Sequence, residues 1–135
     1  MFKNYTLNWE PFVSVGPFKF DTLIQKYIEP YNLHFVEAAD ATVNWDTYAT
    51  SDESVYIDTE NSKIVSISCY VSFYYNGKNI IGLSLPEVRE ILGREDEIGD
   101  QLGEKIPVEY YALNLQLWVQ NEYVTNVTCN GLVED

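Results

Sequence analysis

The polar side chains that could perform chemistry in this sequence are numerous, but they form no recognisable catalytic motif. Acid–base catalysis needs carboxylates or histidine held together in a cleft, and no carboxylates stand here in a recognised pair. The serines lack the glycine-flanked context of a nucleophile elbow, and His34 is the only histidine available as a base. No phosphate-binding glycine loop or dinucleotide-binding motif occurs. The sequence therefore favours a binding protein over an enzyme.

Residues that bind metals are also scattered along the chain. Cys69 and Cys129 have no histidine nearby in the sequence and make a poor zinc set. They could form a disulfide, a metal pair or two buried apolar side chains, and we predict that both are buried and reduced. The acidic segment 94–105 could hold calcium loosely, but its spacing matches no EF-hand loop, so we interpret it as solvated. We predict no cofactor and no metal, and we interpret His34 as packed on a strand face.

The chain is strongly acidic, with 21 acidic and 8 basic residues and a net charge of −13. Such a surface repels phosphates and anionic lipids, so we predict no direct binding to nucleic acid or to a membrane. It would attract a basic protein and speed association with it, although acidic surfaces also simply keep proteins in solution. We expect a cytoplasmic protein, because no apolar run approaches the roughly 20 residues of a membrane span and no signal peptide is recognisable.

The segment between Lys26 and Lys63 contains eight acidic residues and no Lys or Arg. Trp and Tyr residues alternate with the acids in this segment. Unneutralised acids beside Trp and Tyr are typical of a docking surface for a cationic protein. The alternative is a set of solvated loops whose aromatic side chains turn into the core. The predicted partner-binding residues are Glu37, Asp40, Trp45, Asp46, Tyr48, Asp52, Glu53, Tyr56, Asp58 and Glu60.

The elements that must position these residues are mainly strands. Residues 63–75 alternate between apolar and polar positions, which predicts one long strand, and Asn76-Gly77 after them is typical of a two-residue hairpin turn. Similar alternation recurs before and after this stretch, so we expect antiparallel pairing between neighbours. The predicted strands are 54–58, 63–75, 79–82, 113–119 and 123–129, of which the first three would form a meander.

Two short helices are predicted beside the strands. Asp21 has the features of an N-cap for a helix over residues 22–28. Ser84 and Glu87 form a capping box at the start of a second helix, which Gly93 ends. Because both helices are too short to be stable alone, each must pack on the sheet. We predict that all 135 residues form one α+β domain, with a mainly antiparallel twisted sheet and two short helices packed against it.

Three segments of this pattern resemble a known protein family. They are VGPFKFDTLIQKY near the start, GKNIIGLSLPEVREILG in the middle and LNLQLWVQNEYVTNVTCNG near the end. They resemble the immunity proteins of bacterial contact-dependent growth inhibition systems and related polymorphic-toxin systems. The resemblance implies a cytosolic protein that binds its cognate toxin tightly and blocks it. Such toxins are often nucleases, which are basic because they bind phosphate. The family offers no shared binding residues, so the ten named above depend on charge and aromatic content alone.

Three functions from different classes are therefore open. The first is an immunity protein, monomeric or weakly dimeric, that neutralises a cognate basic toxin domain by stoichiometric occlusion. The second is a small-molecule-binding or regulatory domain with its ligand between sheet and helices. The third is an enzyme that uses two carboxylates in one pocket. We favour the first function, in which the chain binds a protein and catalyses no reaction.

Overall fold

An eight-stranded antiparallel sheet dominates the computed structural model, which describes residues 5–38 and 45–131. A three-stranded sheet and a small hairpin accompany it, together with two α-helices and one 3-10 turn. In chain order the elements are β1 (Trp9–Glu10), β2 (Ser14–Val15), β3 (Phe18–Lys19), α1 (Gln25–Ile28), β4 (His34–Glu37), β5 (Asp46–Ala49), β6 (Val55–Glu60), β7 (Lys63–Cys69), β8 (Tyr74–Tyr75), β9 (Lys78–Asn79), α2 (Leu85–Leu92), β10 (Glu97–Ile98), β11 (Ile106–Tyr110), the 3-10 turn (Tyr111–Leu113), β12 (Leu115–Gln120) and β13 (Tyr123–Asn130).

The large sheet has the strand order β10-β11-β12-β13-β7-β6-β5-β4, and every neighbouring pair is antiparallel. Two-residue turns join β6 to β7 and β12 to β13. Asn61 and Ser62 have φ values of 54° and 66°, and Asn121 and Glu122 have values of 52° and 74°. Two consecutive positive φ angles match the right-handed twist of the strands that such turns join. The predicted fold class, a mainly antiparallel sheet with two short helices, is confirmed.

The predicted long strand 63–75 is wrong in its length, because β7 ends at Cys69. The Phe73 backbone N–H donates to the side-chain Oδ1 of Asn79 at 2.9 Å and so does not extend the ladder. The next residues pair as the β8–β9 hairpin around the predicted Asn76-Gly77 turn, where φ is 50° and 80°. This hairpin lies outside the large sheet, so β13 rather than residues 79–82 occupies the place beside β7.

The first predicted helix is also wrong in its bounds, while the second is confirmed. Asp21 has a φ of 61°, and its N–H donates to the carbonyl of Ile64 in β7 at 2.8 Å, so its backbone pairs with β7 and Asp21 does not cap a helix. Helix α1 is consequently limited to four residues. At α2 the capping box forms as predicted, since the Ser84 side chain accepts from the Glu87 N–H and the Glu87 carboxylate accepts from the Ser84 N–H.

The large sheet has one apolar face and one polar face. Ile57, Ile67, Leu117 and Val127 are completely buried in a core that also includes side chains from β1–β3, α1, β8–β9 and α2, which cover the apolar face. Cys69 and Cys129 also lie in this core and are free thiols, which confirms the prediction that they are buried and reduced. The alternate positions form the face that we call the polar face, and most of them are partly exposed. They include Tyr56, Asp58, Ser68, Gln116, Trp118 and Thr128.

Candidate protein-binding surface

The β4–β6 end of the polar face brings together part of the predicted binding set. Glu37 lies opposite Thr47, and Thr47 lies opposite Asp58, so the three side chains form one cross-strand row. The Thr47 hydroxyl donates to Asp58 Oδ1 at 2.7 Å. Partial burial raises the pKa of Asp58, and the charge of Glu37 raises it further, although the Thr47 hydrogen bond opposes both effects. Two carboxylates therefore act on each other here.

A second row on the same face holds the carboxylate of Glu53. His34, Ala49 and Tyr56 are aligned across β4, β5 and β6, and Ala49 is completely buried beneath its neighbours. The Tyr56 hydroxyl donates to Glu53 Oε2 at 2.9 Å, and His34 Nε2 lies 3.6 Å from Glu53 Oε1. The hydrogen bond to Glu53 is the main reason why the pKa of Tyr56 is raised. The turn after β5 thus places the Glu53 carboxylate on the polar face.

Two further residues contribute to this surface although the sequence reasoning did not select them. The ring of Tyr70 meets that of Tyr56 edge to face, with centroids 5.6 Å apart, and the Tyr70 side chain is 45% exposed. His34, which was predicted to pack on a strand face, instead lies exposed on edge strand β4 beside Glu53. Tyr70 could have been found from the alternation of residues 66–70, which places it on the same face as Ser66 and Ser68. The position of His34 depends on a strand pairing that local sequence does not specify.

Asp52 has a structural role in the turn that carries Glu53. Its Oδ1 accepts hydrogen bonds from the Thr50 hydroxyl, the Ser54 N–H and the Ser54 hydroxyl at 2.8, 3.1 and 2.8 Å. These hydrogen bonds lower the pKa of Asp52, and the bond from the Ser54 N–H has the largest effect. Glu53 follows with a φ of 58°, a left-handed conformation that non-glycine residues adopt rarely. The Asp52 side chain thus stabilises the bend that positions its neighbour.

The remaining predicted residues are distributed around the β4–β6 end. Strand alternation places the side chains of Asp46 and Tyr48 on the opposite face of the sheet. Tyr48 is half-buried there, and its ring meets that of Phe35 edge to face with centroids 5.4 Å apart. Trp45 is 39% exposed just before β5, and Glu60 is exposed at the end of β6. Asp40 lies outside the described residues. The structure therefore groups Glu37, Glu53, Tyr56 and Asp58, which together with Tyr70 we call the acidic surface.

No Lys or Arg forms an ion pair with the acidic surface within the part of the chain that the structure describes. There the Lys and Arg ion pairs are Lys63 with Asp21 at 3.9 Å and Arg89 with Glu95 at 2.5 Å. Residues 5–38 and 45–131 also contain no group of three or more His, Cys, Asp or Glu side chains able to hold a metal ion. No helix in these ranges is long and apolar enough to cross a membrane.

The chain was compared with protein-family models, curated proteins and solved structures. No protein-family model matches the chain, and no curated protein or solved structure matches it either.

Proposed function

We propose that this protein is a bacterial cytoplasmic immunity protein that binds a cognate basic toxin domain, a nuclease in the expected case, and neutralises it by stoichiometric occlusion. The observation that supports this most directly is the acidic surface. Glu37, Glu53 and Asp58 lie beside Tyr56 on one sheet face, and none of them forms an ion pair with a Lys or Arg among the described residues. The resemblance of three sequence segments to immunity proteins supports the same function.

In this proposal the acidic surface imitates the phosphate backbone that a nuclease binds. Its carboxylates would pair with the Lys and Arg side chains that otherwise hold nucleic acid, and the charge of −13 would accelerate the encounter. Tyr56 and Tyr70 would supply the aromatic area that excludes water from the centre of the contact. The chain would act by covering the toxin and would catalyse no reaction itself.

The test is association with the basic C-terminal domain of a large exoprotein encoded beside this gene. We expect the association rate constant to fall about tenfold or more between about 50 mM and about 500 mM salt, since screening weakens attraction between exposed charges. The triple variant Glu37→Gln, Glu53→Gln, Asp58→Asn should bind more slowly and show a smaller salt dependence. Its matched control, Glu10→Gln, Glu90→Gln, Glu122→Gln, removes the same charge from other exposed sites and should associate faster than the first variant. Salt-independent association, or equal slowing by both variants, would contradict the proposal.

A small-molecule-binding or regulatory domain is the second candidate, and one cavity favours it. The cavity has a volume of about 310 Å³ and is lined by residues of β11, β12, β13 and the 3-10 turn. Its lining residues Glu109, Gln116 and Thr128 lie on the polar face of the sheet. The cavity is therefore not between the sheet and the helices, where the sequence analysis placed the ligand of this candidate. A thermal-shift screen tests this candidate, because a ligand that binds only the folded state raises the melting temperature.

A further inference from the structure

The cavity lies at the opposite end of the polar face from the acidic surface. Glu109, Gln116 and Thr128 are aligned across β11, β12 and β13 and form its floor. Tyr111 and Asn114, in and just after the 3-10 turn, bound it on one side. The cavity volume of about 310 Å³ is larger than that of several water molecules, which occupy roughly 30 Å³ each. A small polar group therefore fits in the cavity together with water molecules.

The cavity wall presents several side-chain oxygens that remain free to accept hydrogen bonds. The Asn114 amide donates through Nδ2 to the Gly131 carbonyl at 2.9 Å, and the Gln116 amide donates through Nε2 to Glu109 Oε1 at 2.5 Å. Each amide uses one N–H in these hydrogen bonds, and its carbonyl oxygen receives no hydrogen bond from another described residue. The Glu109 carboxylate adds further acceptor capacity. A ligand complementary to these oxygens must supply donors.

The surroundings of the cavity are negatively charged. Glu97 of β10 lies directly opposite Glu109 of β11, an arrangement of like charges that destabilises a strand pair. Asp96 is also close, since its Oδ2 accepts the Tyr111 N–H at 2.8 Å. The Tyr111 hydroxyl donates to Glu97, and this bond, followed by burial and the charges of Glu97, Glu109 and Asp96, raises the pKa of Tyr111 to about 12. No Lys or Arg ion pair relieves these three carboxylates within the described ranges.

We propose that this cavity binds a guanidinium group, carried either by an arginine side chain of a protein or by a free small molecule. A guanidinium has five N–H donors in one plane and no acceptor, which matches the unpaired oxygens of Glu109, Asn114 and Gln116. Its charge would relieve the repulsion between Glu97 and Glu109, and its flat face could stack on the Tyr111 ring. The inference does not depend on the proposed immunity function, and it deepens the second candidate by naming the chemical group that the cavity would bind.

The experiment is a titration of the folded protein with Nα-acetyl-L-arginine methylamide, followed by backbone amide NMR. We expect saturable shift changes at Gln116, Thr128 and Asn130. The citrulline counterpart has a similar shape but carries a neutral urea, so it should leave these signals unchanged. Glu109→Gln should weaken binding about tenfold, because it replaces a charged acceptor by a neutral one. Glu90→Gln removes an exposed carboxylate on α2 and should bind like the wild type.

A second variant and a second ligand complete the test. Glu97→Gln should also weaken binding of the arginine derivative, and it gives the answer if Glu109→Gln fails to fold. Free L-arginine distinguishes the sources: tighter binding of the free amino acid indicates a small molecule, whereas equal or tighter binding of the blocked form indicates a protein side chain. The proposal is overturned if the cavity signals do not shift, if citrulline shifts them equally, or if both folded variants bind like the wild type.

Discussion

The Tyr56 hydroxyl and the Glu53 carboxylate are joined by a hydrogen bond of 2.9 Å that connects a strand to the turn before it. The turn carries Glu53 in a left-handed conformation, with a φ of 58°. The bond holds a solvent-accessible carboxylate on the polar face beside the Tyr56–Tyr70 ring pair. The same residue pair thus combines the charge and the aromatic area that the proposed function requires.

Removing the charge of Glu53 should slow association with the basic toxin domain. We expect Glu53→Gln to lower the association rate constant about threefold at low salt, since one of several steering charges is lost. The amide keeps an oxygen that can accept from Tyr56, so the surface should retain its shape. Stopped-flow fluorescence measures the rate, and Glu90→Gln should leave it closer to wild type. An unchanged rate in Glu53→Gln would place the contact elsewhere.

The neighbouring residue should affect stability more than binding. Asp52→Ala removes the acceptor of three hydrogen bonds in the turn and should lower the free energy of unfolding by about 0.5–1 kcal/mol at neutral pH. The pKa of Asp52 is lowered in the folded state, so its contribution is present above the ordinary carboxyl pKa and is lost as the pH falls through the lowered one. Urea unfolding at neutral and acidic pH should therefore show a difference that shrinks in acid. A constant difference would show that ionised Asp52 is not what stabilises the turn.

Neutralising Asp58 should stabilise the free protein. Its folded-state pKa is raised by partial burial, so the charged form costs stability at neutral pH, and this cost disappears below the ordinary carboxyl pKa. Asp58→Asn keeps an acceptor for the Thr47 hydroxyl and should raise Tm by about 2 °C at pH 7. Calorimetry should show that the gain vanishes in acid. A lower Tm at pH 7 would mean that the charged hydrogen bond outweighs the burial.

The capping box of α2 should contribute measurably to the fold. Ser84→Ala removes the acceptor of the Glu87 N–H and should cost about 1 kcal/mol of unfolding free energy. Ser51→Ala, at an exposed turn position, is the matched control and should change stability much less. Chemical denaturation of both variants checks the difference. Equal effects would show that α2 is stabilised by the packing of its apolar side chains on the core and not by its cap.

Local sequence signals identified the parts of the fold that depend on local interactions. The helix α2 was predicted because its cap needs only Ser84 and Glu87, three residues apart. The Asn76-Gly77 turn was predicted for a similar reason, because it joins two strands that are neighbours in sequence. Asp21 has the residue type of a helix cap, but its N–H bonds to Ile64, which is 43 positions away (64 − 21). Local propensity was overridden there by a tertiary contact.

The candidate site was predictable in composition but only partly in geometry. The absence of Lys and Arg between Lys26 and Lys63 identified the acidic segment, and strand alternation put Tyr56 and Asp58 on one face. Alternation also put Tyr48 on the other face, which the selection by charge and aromatic content ignored. The cavity was missed because Glu97, Glu109 and Gln116 come together only through the pairing of three strands. Strand pairing of this kind leaves no signal in any single segment.

The two buried thiols provide a means of measuring how often the core opens. Cys69 and Cys129 lie on adjacent central strands, and burial raises the pKa of both thiols, that of Cys69 to about 12. A thiol reagent can react with them only in molecules whose core has opened. The rate at which the native protein consumes such a reagent therefore reports unfolding without denaturant, and the slowing of that rate by a bound partner would measure how much the complex stabilises this chain.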